Sequence, residues 1–487
     1  TISGGTLELA KADALPSTGN VVVANSAKLN LGNFNQAIGG LSGAGTIELG
    51  SATLTVKGSS DSGSAFQGAI AGTGNVTKIG SASDILTLSG ANTYTGTTTI
   101  SGGVLAVTQP NSLASGSQLV INGGSLEISG DITLNTLQSF KMEGVGASGG
   151  GALRLASGKS GGYAGPITLT ESTTVGAASG SVLTLAGAIT QDPSASNPGF
   201  RLTKVGAGEL ILTDTNTTSP TAKGYTGGTL IAEGTLTTAL KDILPASGVV
   251  TLSGDTTVLN LSGTTQHIGG LASTSGAPTV KLNGGSLVVG QGSTAETRFD
   301  GAITNGESGS GSVEKAGSGR LTLGGSNTYT GGTTISGGTL QLAKSEALPR
   351  TGNVAVASGA TLNLADFSQA IGELTGEGAV ALGEATVGSG ALTITVENGR
   401  TATFSGEING TGSVTKAGAG TEIIRGTSTY KGGTTISGGT LELAKADALP
   451  STGNVAVASG ATLNLADFSQ AIGGLSGAGT IALGSGT

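Results

Sequence analysis

The sequence predicts an all-β fold, a right-handed parallel β-helix (a solenoid) built from tandem repeats of about 100 residues. Three observations carry this prediction. A recurring element of the ISGGTL type begins at Thr1, Thr99, Leu230, Thr334 and Thr435. Between these landmarks run many short stretches in which apolar and polar residues alternate. No stretch of a dozen residues shows a convincing helical period, while glycine supplies 91 of the 487 positions.

The landmarks divide the chain into units 1–98, 99–229, 230–333 and 334–434 and a partial unit 435–487, all expected to belong to a single continuous β-helix spanning 1–487. The stretch TLELAKADALPSTGNV is unchanged between the first and last units. The second unit is longer, and its Gly- and Ser-rich stretch at 144–165, with QDPSASNPG at 191–199, is expected to protrude as loops.

Within a unit, TLEL, TLTV, SLEI, TVKL and TLNL set Leu, Val or Ile on one face and Thr, Asn, Lys or Glu on the other. That is the period of a half-buried strand. SGG, GAG, GTG and NGG stand between the strands and supply tight turns. LAKADALP at 9–16 comes nearest to a helix, and Pro16 stops it. At roughly 20 to 25 residues per coil and about 4.8 Å per coil, the chain would make some 20 coils in a rod on the order of 100 Å long.

Composition narrows the function. The formal charge of −8 disfavours nucleic acid and anionic membranes as partners, since both are bound through clustered Lys and Arg. Zero Cys removes disulfides, thiol catalysis and thiolate metal sites. No apolar run is long enough for a membrane helix. The chain starts at Thr1 without a leader, as expected of a window from a longer precursor.

Candidate chemistry is sparse. SDSGSA at 60–65 offers Ser62 or Ser64 as a nucleophile, but the sole histidine, His267, lies some 200 residues further on, many coils away. His267 itself stands where the aligned copies have Ala37 and Ala471, and reads as a tolerated surface change. Asp13 and Asp447 read as solvated turn residues. A glycan-cleaving β-helix would gather two or three carboxylates on neighbouring coils, whereas the Asp residues here are scattered, with no DD or DxD pair. No enzyme activity, cofactor or metal is expected.

KAGSGRLTLGGSNTYTGGTTISGGTLQL at 315–342 is the clearest of four related segments. The others run over 78–107, 416–443 and, more loosely, 204–236, where Lys223 replaces the Asn. Their shared positions are Asn92, Tyr94 and Gly96; Tyr225, Gly227 and Gly228; Asn327, Tyr329, Gly331 and Gly332; and Tyr430, Gly432 and Gly433. The pattern resembles the passenger-associated transport repeat (autotransporter-associated β-strand repeat) of type V secreted surface proteins. The resemblance implies an autotransporter passenger, a parallel β-helix exported through an outer-membrane translocator barrel outside this chain. It would fold outside the cell, at the surface of a Gram-negative bacterium, anchored at the outer membrane. On that reading the protein is a non-enzymatic stalk or adhesin, with contacts to host surfaces or to copies of itself. A self-assembling filament or coat is the alternative, and a polysaccharide-cleaving β-helix the third reading. The four tyrosines are expected to pack on the coil.

Overall fold

The structure is a computed structural model describing residues 1–58, 64–135, 137–195, 199–213, 224–384 and 390–486. It forms two compact units, Thr1–Gly248 with Thr257–Leu259, and Val249–Thr256 with Asn260–Thr487. Both are solenoids of short strands. Among the described residues there is no α-helix, and a single 3-10 turn at Ala147–Gly149.

In the first unit one coil carries the strands Asn20–Val23, Lys28–Asn30 and Gln36–Ile38. The next coil lays Gly40–Gly43, Thr46–Glu48 and Thr53–Val56 on them in parallel register, with Val21 opposite Leu41, Leu29 opposite Ile47 and Ala37 opposite Thr55. Each coil thus adds a strand to three ladders. Alternation puts like residues above like. Leu29, Ile47 and Ile70 stack inward and are fully buried, while Thr55, Thr77 and Thr99 stack outward. A buried Leu or Ile contributes about 1.5 to 3 kcal/mol. The column is therefore held mainly by its aliphatic interior.

The second unit repeats the plan. Val354–Val356, Thr361–Asn363 and Gln369–Ile371 form one coil, and Leu340, Leu362, Val380 and Ile408 stack inward through successive coils. Coil length varies from 18 residues, as between Leu29 and Ile47, to 34, as between Thr190 and Gly224.

One expectation needs correction. The stretch 144–165 is not one protruding loop. Leu153–Leu155 stacks on Leu126–Ile128, and Ser160–Tyr163 pairs with Thr133–Leu134, so the excess chain is confined to the turn between Gly144 and Leu153. Alternating LRL and a buried Tyr163 supply the inward residues that make rungs there. Of 191–199, residues 196–198 lie outside the described residues.

The helix-like stretch 9–16 is a turn. Asp13 takes φ +48° and accepts a hydrogen bond from the Ala37 amide at 3.0 Å. Gln36, almost fully buried, accepts from the Leu15 amide at 2.9 Å and donates to the Leu15 carbonyl at 3.0 Å. Asp447 and Gln470 repeat these bonds to Ala471 and Leu449. Turn carboxylates read as solvated thus tie one coil to the next.

Candidate functional site: a coil corner repeated four times

In the third copy Ser312–Lys315 ends one coil, Arg320–Leu323 opens the next, Thr333–Ile335 ends that coil against Ser312–Lys315, and Thr339–Leu342 opens the following one on Arg320–Leu323. Between Leu323 and Thr333 the chain forms no strand, and Asn327 and Tyr329 point into the core, buried to 5% and 0% exposure. A core amide must have partners or it costs free energy. Asn327 finds them in both directions. Its Oδ1 accepts from the Ile303 amide at 2.7 Å, one coil earlier, and its Nδ2 donates to the Ala347 carbonyl at 2.6 Å, one coil later. Asn92 joins Ile70 and Ser112 in the same way. One side chain therefore fastens three successive coils.

The tyrosines are core residues, as expected. Each phenol meets the hydroxyl of the Thr four residues on: Tyr94 with Thr98 at 2.5 Å, Tyr225 with Thr229 at 2.8 Å, Tyr329 with Thr333 at 2.7 Å and Tyr430 with Thr434 at 2.6 Å. Burial pushes the Tyr94, Tyr225 and Tyr430 phenols up to about 12, and Tyr329 upward as well.

The glycines divide into two physical classes. A Cβ on Gly96, Gly227, Gly331 or Gly432 would come within 2.2, 2.1, 2.6 or 2.5 Å of a backbone oxygen of the preceding coil, so these are sites of close approach. Gly228, Gly332 and Gly433 instead take φ of 84°, 89° and 84°, which side chains disfavour. The first copy has Thr97 at that position.

Four lysines were overlooked in the sequence. Lys78, Lys204, Lys315 and Lys416 open the four segments and are buried to 1% exposure or less. Lys315 Nζ donates to the carbonyls of Ala316, Gly317 at 3.0 Å and Gly337 at 3.1 Å. Lys416 repeats this on Ala417, Gly418 and Gly438, and Lys204 on Val205, Gly206 and Glu233. Lys78 uses Ile79 and Lys57. An ammonium has three donors, and a three-carbonyl corner satisfies all of them. Burial lowers all four lysines, Lys204 to about 8. The signal in the sequence was a Lys at one fixed place in every copy, two residues before a Gly.

The fourth copy departs from the plan twice. Ser428 replaces the Asn, and its hydroxyl is buried without a hydrogen-bond partner. Glu422 occupies the inward position held by Leu86, Leu210 and Leu321 in the other copies. It is fully buried, neither carboxyl oxygen makes a well-formed hydrogen bond, and burial raises its carboxyl to about 8 against the pull of Lys416 and of the nearby Leu374 backbone amide.

The other sequence candidates do not assemble. Ser62 and Lys223 lie outside the described residues. Ser64 faces inward beneath Leu86. His267 sits half-buried on the outward face of its strand, beside Val288. Among the described residues no group of three or more His, Asp or Glu is placed to hold a metal ion.

The family model described as Passenger-associated-transport-repeat matches residues 76–107, 202–237, 313–342 and 414–443, the four corners described above. The chain is also 32% identical over 338 residues to the "Adhesin BmaC autotransporter" of Brucella suis biovar 1 (strain 1330). The chain thus carries four passenger-associated transport repeats and is similar to an autotransporter adhesin. The alignment covers 65% of this chain and 8% of that relative, so the chain spans a small part of the relative's length. No solved structure matches the chain. The transport repeat has a physical content here: a caged lysine, a two-way asparagine and a Tyr–Thr hydroxyl pair at every copy except where Lys223 and Ser428 replace the Asn.

Proposed function

We propose that the chain is part of a secreted, surface-displayed and non-enzymatic adhesin-type stalk of a Gram-negative bacterium, held at the outer membrane by a translocator barrel outside this sequence. Its 487 residues would then form one continuous column. In this reading the transport repeats are stations at which an emerging chain becomes fixed. The observation that carries it is the two-way bonding of Asn327 to Ile303 behind and Ala347 ahead. A coil that has just folded presents a satisfied acceptor and an unsatisfied donor. The donor gains its partner only when the next coil arrives, so each addition is rewarded and reversal is penalised.

Protease protection at the surface of cells producing the full-length protein tests this. Replacing Asn92 and Asn327 with Ala should reduce the protease-resistant surface fraction several-fold and leave synthesis unchanged. Equal surface display of both proteins would refute the station reading, and absence of the native protein from the surface would refute the passenger stalk altogether.

A further inference from the structure

Residues 334–383 and 435–484 are copies of one segment that differ at nine of 50 positions. Two of the differences bring new charges to one place, since Arg350 and Glu373 stand where the later copy has Ser451 and Gly474. Both line a groove of about 560 Å³ in the second unit, together with Asn353 and with Glu397 and Arg400 from the following coil. The scattered acids of the sequence gave no sign of this gathering, which only the coil register produces.

The groove is built rather than incidental. Arg400 Nε donates to Glu373 Oε1 at 2.6 Å and its Nη2 to Oε2 at 3.1 Å. Asn353 Nδ2 donates to Glu373 Oε2 at 3.2 Å, and the Glu373 amide donates back to Asn353 Oδ1 at 2.9 Å. Glu373 is thereby fixed, with its side chain only 13% exposed, while Arg400 is 60% exposed. Arg350 is 72% exposed and leans on Glu346 at 3.4 Å. Packing does not require these residues. The later copy makes the equivalent ladder, Val455 on Leu475, with Ser and Gly in their places. Nor does stability account for Arg350, since its exposed ion pair with Glu346 contributes about 0 to 1 kcal/mol.

The volume lies within the range of about 300 to 1,000 Å³ usual for small-ligand sites. The lining has no aromatic and no large aliphatic side chain, so an apolar ligand has nothing to bury against. Its two arginines and two glutamates balance, which disfavours a polyanion or a polycation. What remains matched is a chain of neutral hydroxyls, each able to donate to a carboxylate and accept from a guanidinium or amide.

We propose that this groove binds a neutral oligosaccharide, with Glu373 accepting from, and Arg350 and Arg400 donating to, its hydroxyls. The site binds without cleaving, because Arg400 and Asn353 tie both Glu373 oxygens and leave Glu397 as the only other carboxyl of the lining, whereas a glycosidase needs a free pair. Thr330, Gly331 and Gly332 of the third repeat line one side of the groove, but Arg350, Glu373 and Arg400 lie outside the repeats, so failure of the proposal would leave the stalk reading intact.

Saturation-transfer NMR on the 487-residue chain with gluco-, galacto-, manno- and N-acetylglucosamine tetraoses provides the test. At least one should bind, and Arg350→Ser with Glu373→Gly, which restores the later copy's sequence, should weaken it at least tenfold with unchanged circular dichroism. Arg350→Ser alone, at the groove's rim, should weaken it less and guards against a folding defect. No binding at millimolar sugar, unchanged affinity in both variants, or release of shortened sugars would overturn the proposal.

Discussion

Glu422→Leu should stabilise the second unit, and by an amount that grows with pH. The carboxyl is fully buried, stacked between Ala402 and Leu441, and raised from 4.5 to about 8. Lys416 and, more weakly, the Leu374 backbone amide oppose that rise, and Glu373 adds to it. A group whose folded value is raised contributes stability that is complete below its unfolded value and is lost as pH rises through the folded one. The wild-type protein should therefore lose stability from about pH 4.5 to pH 8, in total about 5 kcal/mol at roughly 1.4 kcal/mol per unit. At pH 4.5 the remaining penalty is that of a neutral carboxyl without a partner, about 1 to 3 kcal/mol. Leu is already accommodated in this geometry, since Leu86 lies over Ser64 and Leu321 over Thr297. Lys416 keeps its three carbonyls in the variant, as Lys315 does beside Leu321. Urea unfolding followed by circular dichroism at pH 5 and pH 8 should show a gap between variant and wild type that widens by several kcal/mol. Parallel pH profiles would refute the reasoning.

Three further outcomes are expected. Lys315→Met leaves the carbonyls of Ala316, Gly317 and Gly337 without their donor, and should cost at least about 3 kcal/mol by urea midpoint. Ser428→Asn, which restores the sister residue beside Ile408, should raise the midpoint by about 1 kcal/mol through the bond that Asn327 makes to Ile303. In an alkaline absorbance titration Tyr94, Tyr225 and Tyr430 should ionise near pH 12, and stability held below pH 10 should fall as pH rises toward that value.

The period-two stretches and the repeat made the strand ladders legible, because inward and outward positions alternate without exception in strands such as Thr339–Leu342. The tyrosines were legible for the same reason: a large apolar residue at a fixed place in a repeat is usually packed. Lys315 was not, since lysine ordinarily marks solvent, and only the turn carbonyls of neighbouring coils reveal why it is inside. Glu422 was hidden by TEII, which reads equally well with Glu outward, and the ladder contact with Leu441 decides otherwise. The groove at Glu373 was invisible because its members come from different coils, and spacing in sequence says little about which coil faces meet.

The central claim is that the transport repeats fix coils in order. Pulsed hydrogen exchange during refolding of the 487-residue chain tests it most directly, by reading amides such as Ile70 and Ile303 that donate to the asparagines against those of strands remote from the repeats, such as Leu29. The account predicts that the stapled amides become protected first and that protection then spreads to neighbouring coils. Protection appearing first in the remote strands, or everywhere at one rate, would contradict it.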